Sequence, residues 1–268
     1  MFFSIILACS QNTPVAETTK VQLEVKESAS RSFEISPDLH IPSSFVQLEH
    51  HTIDSMKERI LVSIKEKRPL FYNFDPRSRS KVIADGLNLQ SDDIIADIGA
   101  GTGGFELLLL EGGYSFQKVY AIDTDKGPLD FLDWMMQTAK LDGDKVELIH
   151  SKRSNISIPK ESVTKAVLLN TPFYLDEKGL PATNTSTQHC MQSIVDAIKA
   201  GGELHILERH VGQKEEELHI DDAPEQHCSN LAAAFTGIGL TLKTMEMVQL
   251  AREGEPAHCR VILEKPSI

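Results

Sequence analysis

The 268-residue sequence predicts an α/β fold: a doubly wound, mostly parallel seven-stranded sheet with a C-terminal antiparallel hairpin. Three observations carry this reading. From residue 91 onward, short apolar runs alternate with stretches of helical period. The first of those runs ends in a glycine-rich loop that opens a helix, and the chain finishes on two strand-like segments separated by turn residues.

Taken in order, Ile53, Met56, Ile60, Leu61 and Ile64 recur at a spacing that lines one helix face. Residues 76–89 give a second helix with Val82, Ile83 and Leu87 inward, broken by Ser91, Asp92 and Asp93. Residues 94–98 form an apolar run that ends in glycines, the pattern of a buried parallel strand. A helix over 103–110 follows, then a strand over 118–122, then a helix over 127–141 with Pro128 suited to its first turn. Strands are predicted over 146–149 and 164–169, with too little chain between them for a full helix. A helix over 189–199 ends at Ala200-Gly201-Gly202, a turn that releases a strand over 203–207. Asp222, Pro224 and Glu225 mark another helix start, leading to Leu231, Phe235 and Ile238. Strands over 240–250 and 258–264, joined by Arg252-Glu253-Gly254-Glu255-Pro256, make the antiparallel pair. In such a sheet a ligand lies at the C-terminal ends of the strands.

Composition narrows the function. With 41% hydrophobic and 25% charged residues the chain can bury one large core. A net charge of −12 argues against nucleic acid as a partner, because neutralising phosphates requires clustered Lys and Arg. Lys57-Glu58-Arg59 and Arg77-Ser78-Arg79 are interleaved with acids or hydroxyls and read as solvated helix faces. Cys190, Cys228 and Cys259 each follow a histidine, but the pairs lie far apart in the chain. No metal site is therefore expected, and the thiols read as buried side chains. The oligomeric state leaves no mark in the sequence.

The N-terminus divides from the rest. Residues 2–8 are an apolar run before Cys9, followed by a polar stretch over 10–32. The run is far shorter than the roughly 20 residues that span a bilayer. It resembles the end of a bacterial lipoprotein signal, in which cleavage before Cys9 leaves a lipidated cysteine on a flexible tether. No Lys or Arg precedes the run, where secretory signals carry a positive region. A membrane-anchored periplasmic lipoprotein is the favoured localisation; the alternative is a cytoplasmic enzyme with an apolar tail. Three regions result: a lipoprotein-like leader and tether over 1–32, an N-terminal helical cap over 33–90, and the Rossmann-like domain over 91–268.

The loop Asp97-Ile98-Gly99-Ala100-Gly101-Thr102-Gly103-Gly104 follows a predicted strand and opens a predicted helix, the setting in which such a loop binds a nucleotide-like ligand. Gly99, Gly101 and Gly104 by themselves also satisfy a dinucleotide fingerprint. Asp97 tips the balance, since a carboxylate there repels a pyrophosphate and suits the cationic amino-acid end of S-adenosyl-L-methionine (SAM). Asp123 stands about 20 residues beyond the loop, where it can bind ribose hydroxyls of either cofactor.

The segments IIADIGAGTGGF, KVYAIDTD, AVLLNTPFYLD, AIKAGGELHILERH, FTGIGLTL and HCRVILEKP together resemble the class I SAM-dependent methyltransferases over about residues 75–265. The resemblance is closer to a branch near the arsenite and ubiquinone/menaquinone-pathway methyltransferases that includes exported bacterial members. It implies SAM as cofactor, Asp97, Gly99, Ala100, Gly101 and Gly103 around its amino-acid end, and Asp123 with Thr124 at the ribose. Asn170 would meet cofactor or acceptor. After the third strand, where many relatives place an adenine-binding Asp, this chain reads His150-Ser151-Lys152-Arg153, so Arg153 becomes the candidate beside the ring.

Methyl transfer to an unidentified small-molecule substrate is the activity implied. Candidates on the acceptor side are Asn170, Phe173, Tyr174 and His210, with His205, His219, Glu208 and Arg209 as further candidate bases. Asn170-Thr171-Pro172-Phe173 is similar to the Asn-Pro-Pro-Tyr signature of enzymes that methylate planar nitrogens, with Thr replacing the first Pro. Two other readings stay open: a noncatalytic module that binds SAM or a nucleoside, and an NAD-linked oxidoreductase on a similar sheet.

Overall fold

The computed structural model describes residues 53–70, 79–171, 173–175, 180–209, 224–248 and 258–267. The leader and tether, Cys9, Pro172, His210, His219 and the turn over 252–256 lie outside them. In chain order the elements are α1 (Ile53–Lys65), α2 (Arg79–Gly86), β1 (Ile94–Ile98), α3 (Gly104–Glu111), β2 (Lys118–Asp123), α4 (Lys126–Ala139), β3 (Val146–His150), β4 (Val163–Leu169), α5 (Thr185–Ala197), β5 (Ile198–Arg209), α6 (Pro224–Thr236), β6 (Thr241–Val248) and β7 (His258–Glu264).

The seven strands form one sheet in the order β3-β2-β1-β4-β5-β7-β6. All pairs from β3 to β5 are parallel, and β7 runs antiparallel to both β5 and β6. This is the predicted mixed sheet with its terminal hairpin. The strand order reverses direction between β1 and β4, so the crevice at their C-terminal ends is where a ligand can enter between the flanking loops.

Side-chain alternation assigns the faces. In β1, Ile95 packs with α2 and α3 through Ile83, Leu87, Phe105 and Leu108, whereas Ala96 and Ile98 pack with α5 and α6 through Ile194, Leu231 and Phe235. Asp97 shares the face of Ile95 and so points toward α3. Met56 and Ile60 of α1 join Leu132 and Met135 of α4 in a third cluster on that same side. Two helix starts are set by side-chain caps: Asp125 accepts from the Gly127 N–H (3.0 Å) and Asn184 from the Thr187 N–H (2.9 Å). The second cap starts α5 four residues ahead of the sequence reading, because the Asn184 side chain satisfies a first-turn N–H and lets the helix begin at Thr185.

The Ala200-Gly201-Gly202 turn is a correction. The helix ends at Ala197 and β5 begins at once, with Gly201 inside the strand at φ 74°. The Gly201 N–H donates to Lys265 O (2.8 Å) and the Lys265 N–H to Gly202 O (2.9 Å), so the segment after β7 completes the ladder that the glycines irregularly open. The Lys265 ammonium donates to the carbonyls of Val195 (3.1 Å) and Ile198 (2.7 Å), closing the helix end. Cys228 of α6 and Cys259 of β7, distant in sequence, form a disulfide with Cα atoms 5.4 Å apart, while Cys190 stays free and buried. No helix among the described residues is long and apolar enough to cross a membrane.

Candidate active site

The glycine loop folds over the end of β2. The N–H groups of Gly99 and Ala100 donate to Ile122 O (2.8 and 3.0 Å), and that of Gly101 donates to the Asp123 carboxylate (2.9 Å). The other Asp123 oxygen accepts from the Asp125 N–H (2.9 Å). Burial raises the Asp123 pKa from the usual carboxylate value, against the pull of those backbone donors. Gly99 has φ 83°, and a Cβ there would lie 2.5 Å from Thr171 Oγ1, so only glycine lets the loop pass this close to the end of β4. At Gly103, φ 82°, a Cβ would meet Leu132 at 2.2 Å, which ties the loop closely to α4.

Above this loop lies a cleft of about 580 Å³, part of it open to solvent. Gly99 and Ile98 form its floor, Asp123 and Thr124 one wall, and Ser151, Lys152, Arg153 and Ile156 the next. Thr171 and Phe173 close the side beyond β4, with Ser186, Thr187 and Cys190 of α5 behind them. Its lining mixes apolar side chains with a few polar groups, as ligand sites do. Gly99, Asp123, Thr124 and Arg153, named from the sequence, are thus brought together. Asn170 turns the chain at the end of β4 with φ 53°, its N–H donating to Leu207 O (3.0 Å).

Asp97 lies beneath the loop, 2% exposed, and does not line the cleft directly. It faces Glu106 in the first turn of α3, a residue the sequence reading passed over and one that is wholly buried. Burial pushes the Asp97 carboxyl up to about 7, with the Glu106 hydrogen bond pulling back and the Asp123 charge adding to the rise. Glu106 is held well above the carboxylate range by burial first and by the Asp97 charge second. A single carboxyl inside the apolar string GFELLLL was the signal available.

Three acceptor-side candidates take structural roles. Tyr174 is fully buried, stacked edge-on against Phe173 and Phe235, and its hydroxyl donates to Glu208 (3.2 Å). It is a core residue because the chain after Phe173 turns inward under α6. Glu208, 3% exposed, also accepts from the Thr171 N–H and so anchors the loop after β4. His205 sits within β5, buried against Glu203 at 3.0 Å, with its pKa lowered by burial; the strand's alternation keeps it out of the cleft.

No protein-family model matches the sequence, and no curated protein does. Solved structures do. A SAM-dependent methyltransferase of Methanosarcina mazei superposes with a TM-score of 0.52 at 20% identity, covering 69% of this chain and 98% of that one. One of Aquifex aeolicus gives 0.51 at 17%, covering 80% and 98%. The chain has the fold of the SAM-dependent methyltransferases. At these identities the likeness is one of fold, and the methyltransferase fold is not confined to one reaction: the [4+2]-cyclase SpnF superposes at 0.53 and 14% identity, covering 70% of this chain and 81% of that one. Within the methyltransferase fold, the cleft described above lies at the β1/β4 reversal.

Proposed function

We propose that this chain is a SAM-dependent methyltransferase acting on a small molecule. The observation that carries the reading is the acidic character of the glycine-loop site. Asp123 holds the loop from the side, and the Asp97–Glu106 pair lies below it. A loop that cradles a diphosphate offers N–H groups and positive charge; here the Gly101 N–H is already spent on a carboxylate. An adenosyl sulfonium with an ammonium group suits that field better than a dinucleotide.

Asp123 and Thr124 would hold the ribose, Ile122, Ile156 and Arg153 would flank the base, and the loop over Asp97 would receive the amino-acid end. The bound cofactor supplies an activated methyl carbon for in-line displacement. The chain's part is then to align the acceptor and exclude water, and orientation of that kind lowers a barrier by about 7 to 11 kcal/mol. Phe173, on the cleft wall beyond β4, supports a second reading in which a planar nitrogen stacks there.

Calorimetric titration with SAM, S-adenosylhomocysteine and NAD tests the cofactor. Tighter binding of NAD would overturn it. Turnover of radiolabelled SAM against panels of nitrogen, oxygen and sulfur acceptors tests the activity, and binding without turnover on any acceptor would favour a noncatalytic module. We also propose that the protein works outside the cytoplasm on a tether through lipidated Cys9. The apolar run over 2–8 that ends before Cys9 supports this, since it has the form of the end of a lipoprotein signal. Mass spectrometry of the mature N-terminus tests it.

A further inference from the structure

Beneath the glycine loop, Asp97 and Glu106 form a closed acid pair. Asp97 is flanked in the sheet by Ala121 and Val167, neither of which ionises. Glu106 is surrounded on α3 by Phe105, Leu107, Leu108 and Leu109, all buried. One Asp97 oxygen and both Glu106 oxygens are buried with no hydrogen-bond partner. Two carboxyl groups facing each other with no outside donor need a proton between them, because two buried carboxylates would repel at close range with nothing to offset their desolvation. The remaining acid near them is Asp123, at the end of β2, whose own oxygens are engaged by backbone N–H groups.

We propose that Glu106 is a positioning residue for the cofactor: as the protonated partner it donates its O–H to Asp97 and keeps a carboxylate charge beneath the glycine loop, where it acts through the loop on the ammonium group of SAM. This rests on the cofactor assignment made above. When Asp97 is itself protonated, the cationic ligand displaces that proton to solvent, and Glu106 keeps its own. Amino-acid-bearing ligands should therefore bind more tightly as the pH rises toward and through 7, the range to which burial pushes Asp97. A nucleoside lacking the amino-acid end should not share that dependence. Asp123 meets the ribose of both ligands and so cancels from the comparison.

The experiment measures affinities of S-adenosylhomocysteine and 5′-methylthioadenosine by calorimetry from pH 5.5 to 7, below the range where the ligand's own α-amino group titrates. In the wild-type protein the homocysteine ligand should gain close to tenfold per pH unit relative to methylthioadenosine over the lower part of that range. Glu106→Leu, an apolar side chain in apolar surroundings, should lower the affinity ratio at pH 7 by tenfold or more. Glu106→Gln, which still donates a hydrogen bond, should keep it within about threefold. A ratio that stays flat with pH in the wild type overturns the proposal, as does a Glu106→Leu protein that weakens both ligands equally. Failure of both ligands to bind the wild type would instead sink the cofactor assignment itself.

Discussion

Replacing Gly99 by Ala tests how tightly the loop is fitted against the end of β4. Two penalties combine. The backbone at φ 83° is left-handed, which costs a residue with a Cβ about 1 to 2 kcal/mol. The new Cβ would also lie 2.5 Å from Thr171 Oγ1 and 2.6 Å from its Cγ2. Thr171 cannot easily retreat, being 5% exposed with its N–H held by Glu208. Forcing a methyl group into such a contact costs about 1 to 3 kcal/mol. Gly99→Ala should therefore destabilise the protein by about 2 to 5 kcal/mol, and it should weaken S-adenosylhomocysteine binding because Gly99 and Thr171 both line the cleft. Thr171→Ala removes the two nearest atoms and leaves only Cβ, at 3.1 Å. In the double variant the steric part should be regained and the backbone part retained, giving a coupling energy of about 1 to 3 kcal/mol in denaturant titrations. Additivity within about 0.5 kcal/mol would refute the reasoning, because it would mean that the two residues do not compete for the same space.

Asp123→Ala should weaken S-adenosylhomocysteine binding by about 1.5 to 3 kcal/mol, read by calorimetry, through loss of a charged acceptor for the ribose and of the anchor for the Gly101 N–H. Lys265→Met strips the ammonium from two carbonyls at the end of α5 and should cost about 1 to 2 kcal/mol of stability in urea while leaving ligand affinity unchanged. Glu203 is held below the usual Glu range chiefly by its hydrogen bond to His205, then by Lys165 and Lys243. Its folded pKa is depressed, so its stabilisation is complete above the ordinary Glu value and is lost as the pH falls through the folded one. Glu203→Gln should accordingly flatten the acid limb of the stability profile below about pH 4.5, and an unchanged limb would show that other carboxylates govern it.

Sequence by itself determined the order and kind of the elements, because their signals are local: a period of two or of 3.6 residues, a glycine after an apolar run, a turn before the last strand. It placed Gly99 and Asp123 at neighbouring strand ends, where the structure brings both to one cleft, since a loop after the first strand and an acid ending the second are set by strand length and neighbouring position. Pairing across the chain was decided only by tertiary structure. The apolar run around Glu106 marks it as an unusual carboxyl, but nothing near it in sequence reveals that β1 alternation turns Asp97 toward α3, so the pairing of the two acids was not legible. Tyr174 and His205 looked available because they sit near strand ends or inside a polar string, yet inward packing under α6 and the alternation within β5 bury them. Ala200-Gly201-Gly202 read as a turn, but Lys265 arrives from the far end of the chain to supply the hydrogen bonds that keep those residues in the sheet. The physical division is between backbone preferences, which a short segment expresses alone, and donors, acceptors and contact surfaces, which exist only once distant segments meet.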